Sequence, residues 1–382
     1  MRMFAVSAPG LETIVASELL QMGRCDATPV AGGVNFEGGL AQLYQANLSL
    51  RTASRIVVRV DEFHASSFHE LERRAKRIRW DQYLTPGARA QFRVTCRKSK
   101  LYHSDAVAQR FHEAVAKQVH GVVMNAATNE SADGGDSEAD DASPAQLFTV
   151  RLAHDNCVVS ADTSGALLHR RGYRQAIGKA PLRETLAAAM VIGSGWDDRA
   201  PFIDPMCGSG VLAIEAALIA RRIAPGISRS FAFQEWPEHD ATLWQSVREK
   251  ELNDRYLGEI GLIVASDRDD GAMKSAQSNA ARAEVSEDIQ FETIPISAIN
   301  PPQKPGWVVT NPPYGVRVGD RGALRNLYAQ LGNVVREKAP GYTIALLSSD
   351  SMLESELRLD LEEVFRTRNG GIPVRFMRSL QA

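Results

Sequence analysis

Phe202-Ile203-Asp204-Pro205-Met206-Cys207-Gly208-Ser209-Gly210, followed by Val211-Leu212-Ala213-Ile214-Glu215-Ala216-Ala217, is the stretch that decides the fold. A short apolar run ends in an acid, a small-residue turn follows, and an Ala-rich apolar run comes next. That order predicts strand, glycine loop and helix, the opening unit of a nucleotide-binding α/β sheet. Gly208 and Gly210 let the backbone approach a ligand closely, and Ser209 is placed to cap the helix. A plain strand-to-helix turn looks similar, so the loop needs context. Thr310-Asn311-Pro312-Pro313-Tyr314-Gly315, a hundred residues later, supplies it.

Around this unit the periodicity predicts alternating strands and helices. Ala180 to Met190 reads as a lead-in helix with Pro181 at its start, and Trp196 sits just before the opening strand. Leu262 to Asp267 is a second buried strand ending in an acid, and Asp269 to Ala283 an Ala-rich helix containing Asn279. An acid that contacts a ribose is expected about 20 residues after a glycine loop. Asp267 lies 57 residues after Gly210, and the segment Arg222 to Gly258 accounts for the excess. Trp307 to Thr310 and Tyr342 to Leu347 are further strands. Val364 to Arg368 and Ile372 to Met377, joined through Asn369-Gly370, read as an antiparallel hairpin. The expected fold is α/β: a doubly wound, Rossmann-like sheet over residues 166–382 with an antiparallel closing hairpin.

The front of the chain is organised differently. Residues 1–62 alternate strand and helix as a small α+β unit, and residues 63–165 repeat the cycle. Within the latter, 125–143 is polar and acidic and reads as a mobile insertion. A hairpin around His154-Asp155-Asn156 closes this region. The formal net charge is −2, yet Arg51 to His120 holds 15 Lys/Arg against 7 Asp/Glu. Ala126 to Ser143 holds six acids and no base, so the overall balance hides a basic face. Arg97, Lys98, Lys100 and Tyr102 lie in one loop, where cations and an aromatic ring suit phosphate binding and base stacking. A solvated basic loop is the plainer reading of the same residues. Arg170, Arg171 and Arg174 are further candidate phosphate contacts, and exposed cations are the alternative for them too.

Four scattered cysteines form no metal-ligand pair and no disulfide framework, which suits a reducing, cytoplasmic setting. His64, His69, His103 and His112 show no ligand spacing. No metal site is expected. The N-terminus lacks the apolar core of a signal peptide, and no run reaches membrane-spanning length.

Asp204-Pro205-Met206-Cys207-Gly208-Ser209-Gly210, Ser266-Asp267, Asn311-Pro312-Pro313-Tyr314-Gly315 and Arg170-Arg171-Gly172-Tyr173-Arg174 together resemble the THUMP-containing guanine-N2 RNA methyltransferases. The similarity is greatest to the bacterial enzymes acting on large-subunit ribosomal RNA. The Ala8-Pro9-Gly10-Leu11-Glu12 opening extends it to their ferredoxin-like and THUMP front, so it covers nearly the whole chain. The resemblance implies S-adenosylmethionine (SAM) as methyl donor and RNA as partner, ribosomal RNA first and transfer RNA second. Two departures stand out. Val211 follows Gly-Ser-Gly where the family commonly has Thr, and Pro295 falls where it commonly has an acid or amide facing the adenine amine. Some family members carry a second methyltransferase domain, which is not expected in a chain ending at Ala382.

The chemistry explains the residue types. An exocyclic aromatic amine is a poor nucleophile, because its lone pair is delocalised into the ring. Acceptors on its N–H groups aim that lone pair, and the Asn311 side-chain oxygen and Pro312 carbonyl are placed for this. Tyr314 would stack on the extruded base, with Pro313 helping to fix the turn. Asp204 would shape the glycine loop and the methionine amino end of the cofactor, and Asp267 would accept from ribose hydroxyls. Cys207 is a packing residue, with no thiolate-activating partner in sequence. A helix N-cap is the lesser alternative for Asp267, weakened further by Asp204 and Asn311. Two rival functions remain beside RNA guanine methylation: a DNA adenine methyltransferase and a catalytically silent RNA-binding assembly factor.

Overall fold

The structure is a computed structural model and describes residues 1–125, 128–129, 145–174, 182–314 and 321–380. Most of the acidic stretch, together with Lys179, Pro181 and Gly315, lies outside the described residues. Thr128–Asn129, inside the stretch expected to be unstructured, forms a short strand.

The C-terminal half contains the sheet that the glycine loop predicts. Its strands are β10 (Phe202–Asp204), β11 (Ile263–Asp267), β12 (Ile289–Thr293), β13 (Trp307–Thr310), β14 (Thr343–Ser348), β15 (Leu361–Asn369) and β16 (Ile372–Ser379). Their spatial order is β12-β11-β10-β13-β14-β16-β15. The first five strands are parallel, and β16 runs antiparallel between β14 and β15. The order reverses at β10, so the carboxyl ends of β10 and β13 open a crevice at the switch point. Alternate residues feed two apolar layers, because side chains alternate faces along a strand. Phe202 and Val309 join the layer of α5 (Glu184–Gly193), α6 (Val211–Ala220) and α8 (Asp270–Arg282). Ile203 and Val308 join that of α9 (Arg321–Lys338) and α10 (Ser351–Glu356). Helix α6 is apolar on all sides because nearly every residue on it is buried.

The front half builds one nine-stranded sheet. It comprises β1 (Arg2–Ser7), β2 (Thr28–Val30), β3 (Gly33–Glu37), β4 (Ala53–His64), β5 (Arg89–Arg97), β6 (Val123–Met124), β7 (Thr128–Asn129), β8 (Gln146–Ala153) and β9 (Asn156–Asp162). The order is β2-β3-β1-β4-β9-β8-β5-β6, with β7 also on β5. The 12-residue β4 pairs with β1 on one side and β9 on the other, so the two front regions share one sheet. Helices α1 (Glu12–Gln21), α2 (Leu40–Ser49), α3 (Phe68–Ala75) and α4 (Ser104–Gln118) contribute to its core. At the centre, Trp80 meets Phe92, Phe111 and Phe148 edge-to-face at 5.1–6.0 Å.

Two devices join the halves. The segment Arg222 to Gly258 packs into the front core: Phe233 stacks on Tyr44 at 4.6 Å, and Trp244 of α7 (Ala241–Asn253) meets Tyr44 edge-on at 5.7 Å. Trp236 Nε1 donates to Gln146 Oε1 at 2.7 Å. The second device is electrostatic. Glu215, fully buried on α6, pairs with Arg171 Nε at 2.8 Å and accepts from the Tyr173 hydroxyl at 3.0 Å. Arg171 also donates to the Arg51 carbonyl, and Arg51 to the Ile223 carbonyl, both at 2.7 Å. Among the described residues, no helix is long and apolar enough to cross a membrane.

Removing one member of a buried ion pair strands the other charge, at a cost of about 3–5 kcal/mol. Glu215→Ala is therefore expected to lower the melting temperature by at least about 5 °C, and Glu215→Gln by less. Thermal unfolding of both variants checks this. Unfolding curves that overlay the wild type would remove the pair as an anchor.

Candidate active site

Strand β10 delivers Asp204, 1% exposed, to the crevice. Its Oδ1 accepts from the Thr310 hydroxyl at 2.8 Å and from the Met206 N–H at 3.3 Å. Burial pushes this carboxyl up to about 7; the two hydrogen bonds oppose the rise and the negative charge of Asp267 adds to it. The loop beyond is held at three points. Cys207 N–H donates to the Ser266 carbonyl at 3.0 Å, Gly208 N–H to Asp267 Oδ2 at 3.0 Å, and Asn279 Nδ2 to the Ser209 carbonyl at 3.0 Å. Gly210 has φ +82°, and a Cβ there would stand 2.9 Å from that of Ala276, so only glycine lets α6 and α8 meet at the loop. Gly208, at φ +50°, has no neighbour within 4 Å of a Cβ position, leaving room for a ligand against its backbone.

The details correct two expectations. Ser209 does not cap α6: Gly210 occupies the N-cap position, with no side-chain cap. Nor is Asp267 the cap of α8, since Asp269 does that by accepting from Ala272 N–H at 2.8 Å. Asp267 instead braces two backbones, Gly208 through Oδ2 and Asp269 through Oδ1. Cys207 is a packing residue beside Met273, its thiol pushed up by burial first and then by Asp204 and Asp267.

Asn311-Pro312-Pro313-Tyr314 continues from the end of β13. A cleft of 950 Å³ brings Pro205, Met206, Asp267, Asn311 and Pro313 together. Pro295 and Ile296 line it where an acid was missing, and α9, which the sequence reading passed over, adds Leu324, Asn326 and Gln330. The Asn311 Oδ1 atom is buried and has no hydrogen-bond partner among the described residues. Tyr314 packs against the sheet core, and its hydroxyl accepts from Asn369 Nδ2 at 2.7 Å. Asn369 ends β15 at the hairpin turn, and nothing local to that turn marks it as a neighbour of Tyr314.

The cation candidates separate into two groups. Arg97, Lys98, Lys100 and Tyr102 are exposed, and the Tyr102 ring lies 4.1 Å from that of His103. Arg170 is also at the surface. Arg171 and Arg174 are not phosphate contacts in this structure. Arg171 is buried against Glu215, and Arg174 pairs with the buried Glu184 at 3.3 Å and donates to the Leu182 carbonyl at 2.8 Å.

The RMKL-like methyltransferase domain family (UPF0020) matches residues 171–377, and the RlmL ferredoxin-like domain matches residues 2–57. The Synechocystis sp. protein slr0064, which carries the name of an RNA methyltransferase, is 34% identical over 375 residues, 97% of this chain and 94% of its own length. Among solved structures, SMU.472, assigned as a methyltransferase and crystallised with SAH, is 28% identical at a TM-score of 0.86, covering 100% of this chain and 98% of that one. A Listeria monocytogenes protein described as a predicted N6-adenine-specific DNA methylase is 30% identical at a TM-score of 0.84, covering 100% and 96%. The glycine loop, the cleft and the Asn-Pro-Pro-Tyr turn thus lie in a sequence similar to these proteins along its whole length, and the chain belongs to the RMKL-like methyltransferase family.

Proposed function

We propose that this protein transfers a methyl group from SAM to the exocyclic N2 of a guanine in RNA, with large-subunit ribosomal RNA as substrate. The observation that carries the reading is Asn311 at the wall of the cleft, whose Oδ1 is buried without a hydrogen-bond partner among the described residues. A buried acceptor without a donor costs about 1–3 kcal/mol, a cost relieved when the side chain turns its oxygen towards an incoming amine. RNA as the substrate class is supported by the name of the Synechocystis relative and by the exposed loop Arg97 to Tyr102.

The residues present fit SAM. The open space at Gly208 accommodates a ligand against the backbone, Asp204 suits an ammonium group, and the apolar wall of Pro295 and Ile296 suits an adenine face. The bound cofactor supplies a methyl group already activated on a sulfonium sulfur. Asn311 Oδ1 and the Pro312 carbonyl accept hydrogen bonds from the two amine N–H groups and so direct the nitrogen lone pair. That pair forms the N–C bond as the methyl–sulfur bond breaks, and the cationic nitrogen then loses one proton to water. Tyr314 holds the plane of the extruded base, its own ring fixed by Asn369. Positioning of this kind is worth up to about 7–11 kcal/mol of barrier, so no dedicated general base is needed before transfer.

Asn311→Ala is expected to lower the rate of methyl transfer on the order of a hundredfold while leaving SAM affinity unchanged. Labelled methyl transfer to unmodified ribosomal RNA, transfer RNA and DNA, with nucleoside analysis of the product, checks it. N2-methylguanosine in ribosomal RNA supports the reading. The same product only in transfer RNA moves the substrate, N6-methyladenine in DNA replaces the reading, and SAM binding without transfer to any pool favours a silent factor.

Asp204 sets a pH dependence. Below pH 7 it holds its proton and offers no charge to the cofactor ammonium; above pH 7 it is ionised. SAM affinity is therefore expected to fall by up to about tenfold per unit as pH drops below 7, and to level off above it. Calorimetric titrations across pH 5.5–8 on wild type and Asp204→Asn test this. A slope that survives in Asp204→Asn would assign the titration elsewhere.

A further inference from the structure

One face of the front sheet is covered by helices, and alternation along the strands puts arginines on the other. Phe92, Val94, Ile56, Val58, Phe148 and Val150 enter the helix-side core. Their neighbours Arg93, Arg55, Arg59, Thr149 and Arg151 take the opposite face. Register aligns them, since Arg59 pairs with Ser160, Ser160 with Thr149, and Thr149 with Arg93 across four adjacent strands. Arg151 pairs with Thr95 beside this row.

A cleft of 220 Å³ opens on this face, lined by Arg55, Arg59, Arg93, Arg97 and Arg151 and by no acid among the described residues. Arg55 is neutralised by Asp162. Arg59 lies over the Phe4 ring at 4.3 Å and donates to Ser160 Oγ at 3.0 Å, which fixes its guanidinium. Its pKa is held below the usual guanidinium value, first by burial and then by the charges of Arg151 and Arg2, with Glu62 opposing. Arg97 and Arg151 are exposed. Beyond Arg59 the adjoining groove carries Asp26, Glu37 and Glu62, which bounds the arginine-lined surface.

The cleft connects to the catalytic half through Glu12 and Gly10. Its lining includes Val6, Ala31 and Gly32. Glu12 accepts from Gly32 N–H at 3.0 Å and from Gly10 N–H at 2.7 Å. A Cβ on Gly10 would stand 1.9 Å from the Arg366 carbonyl oxygen, so its backbone lies directly against β15. The far end of β15 is Asn369, the partner of Tyr314.

We propose that the arginine cleft on the open face of the front sheet binds the RNA phosphodiester backbone and so captures the strand on the side of the front half that meets β15. This rests on the RNA reading above and adds Arg59, Arg93 and Arg151 to the candidate loop around Arg97. A sheet spaces neighbouring strands roughly 5 Å apart, so Arg59 and Arg93, three such spacings apart, offer phosphate contacts at a fixed separation without reading bases.

The test is fluorescence-anisotropy binding of an unmodified large-subunit ribosomal RNA transcript to the full chain, over about 50–200 mM KCl. Arg97→Gln, Arg151→Gln and Arg59→Gln are compared with wild type, together with steady-state methyl transfer. Arg97 and Arg151 are exposed, so their variants remain informative if Arg59→Gln unfolds. Each substitution is expected to reduce the slope of log K against log salt by about 1 and to raise KM for RNA, with kcat at saturating RNA and SAM affinity kept. A wild type that binds and methylates RNA, with all variants unchanged in slope and KM, overturns the cleft and leaves the proposed function standing. A wild type that binds this RNA no better than a DNA duplex of equal length overturns both.

Discussion

The hydrogen bond from Thr310 to Asp204 is the constraint on which the site depends. It closes the carboxyl ends of two adjacent parallel strands, β10 and β13, at the point where the strand order reverses. One strand end carries the glycine loop and the other the Asn-Pro-Pro-Tyr turn. Fixing their separation fixes, on the function proposed, where a donor held by one meets an amine held by the other. A single carboxylate oxygen takes both Thr310 and the Met206 N–H, so the turn after β10 cannot drift independently of β13. Such buried, fully committed acceptors hold geometry better than exposed ones, because water offers no competing partner.

The same economy governs how the two halves hold together. The segment between α6 and β11 lengthens the catalytic sheet's first connection, yet its aromatic residues serve the front core. Tyr44, Phe233 and Trp244 make it a hydrophobic joint, and Glu215 with Arg171 makes a polar one nearby on α6. The polar joint explains why a run of arginines that looks like a nucleic-acid motif is partly interior. Burying Arg171 demands a partner charge, and Glu215, in the middle of an otherwise apolar helix, is that partner.

Much of this was legible in the chain. Strand-loop-helix punctuation at Asp204 to Ala217 located the crevice, because apolar runs ending in an acid and followed by glycines have few other folds. The Asn-Gly turn located the closing hairpin for a similar reason. What was illegible depends on contacts between distant residues. Asn369 and Tyr314 are 55 residues apart, and no local pattern announces their bond. Arg170 and Arg171 are adjacent and chemically identical, yet one faces solvent and the other Glu215. Helix α9, by contrast, is legible, since Leu324, Tyr328, Leu331 and Val335 repeat at helical spacing. The arginines of the front sheet read as plain charge until strand register put them in one row.

That register bears on how capture and chemistry are linked. A substrate held only at the catalytic cleft would offer a sulfonium donor any accessible amine. A strand held first on a rigid sheet reaches the cleft in fixed phase. The backbone of Gly10 lies against Arg366 with no side chain between them, and the same strand ends at Asn369 on the Tyr314 hydroxyl. The path from the front sheet to the aromatic ring therefore runs through backbone and one amide, elements with little rotamer freedom to absorb a displacement. On the proposed capture of RNA by the front sheet, selectivity for one base follows from the distance between two rigid surfaces as much as from contacts to the base itself.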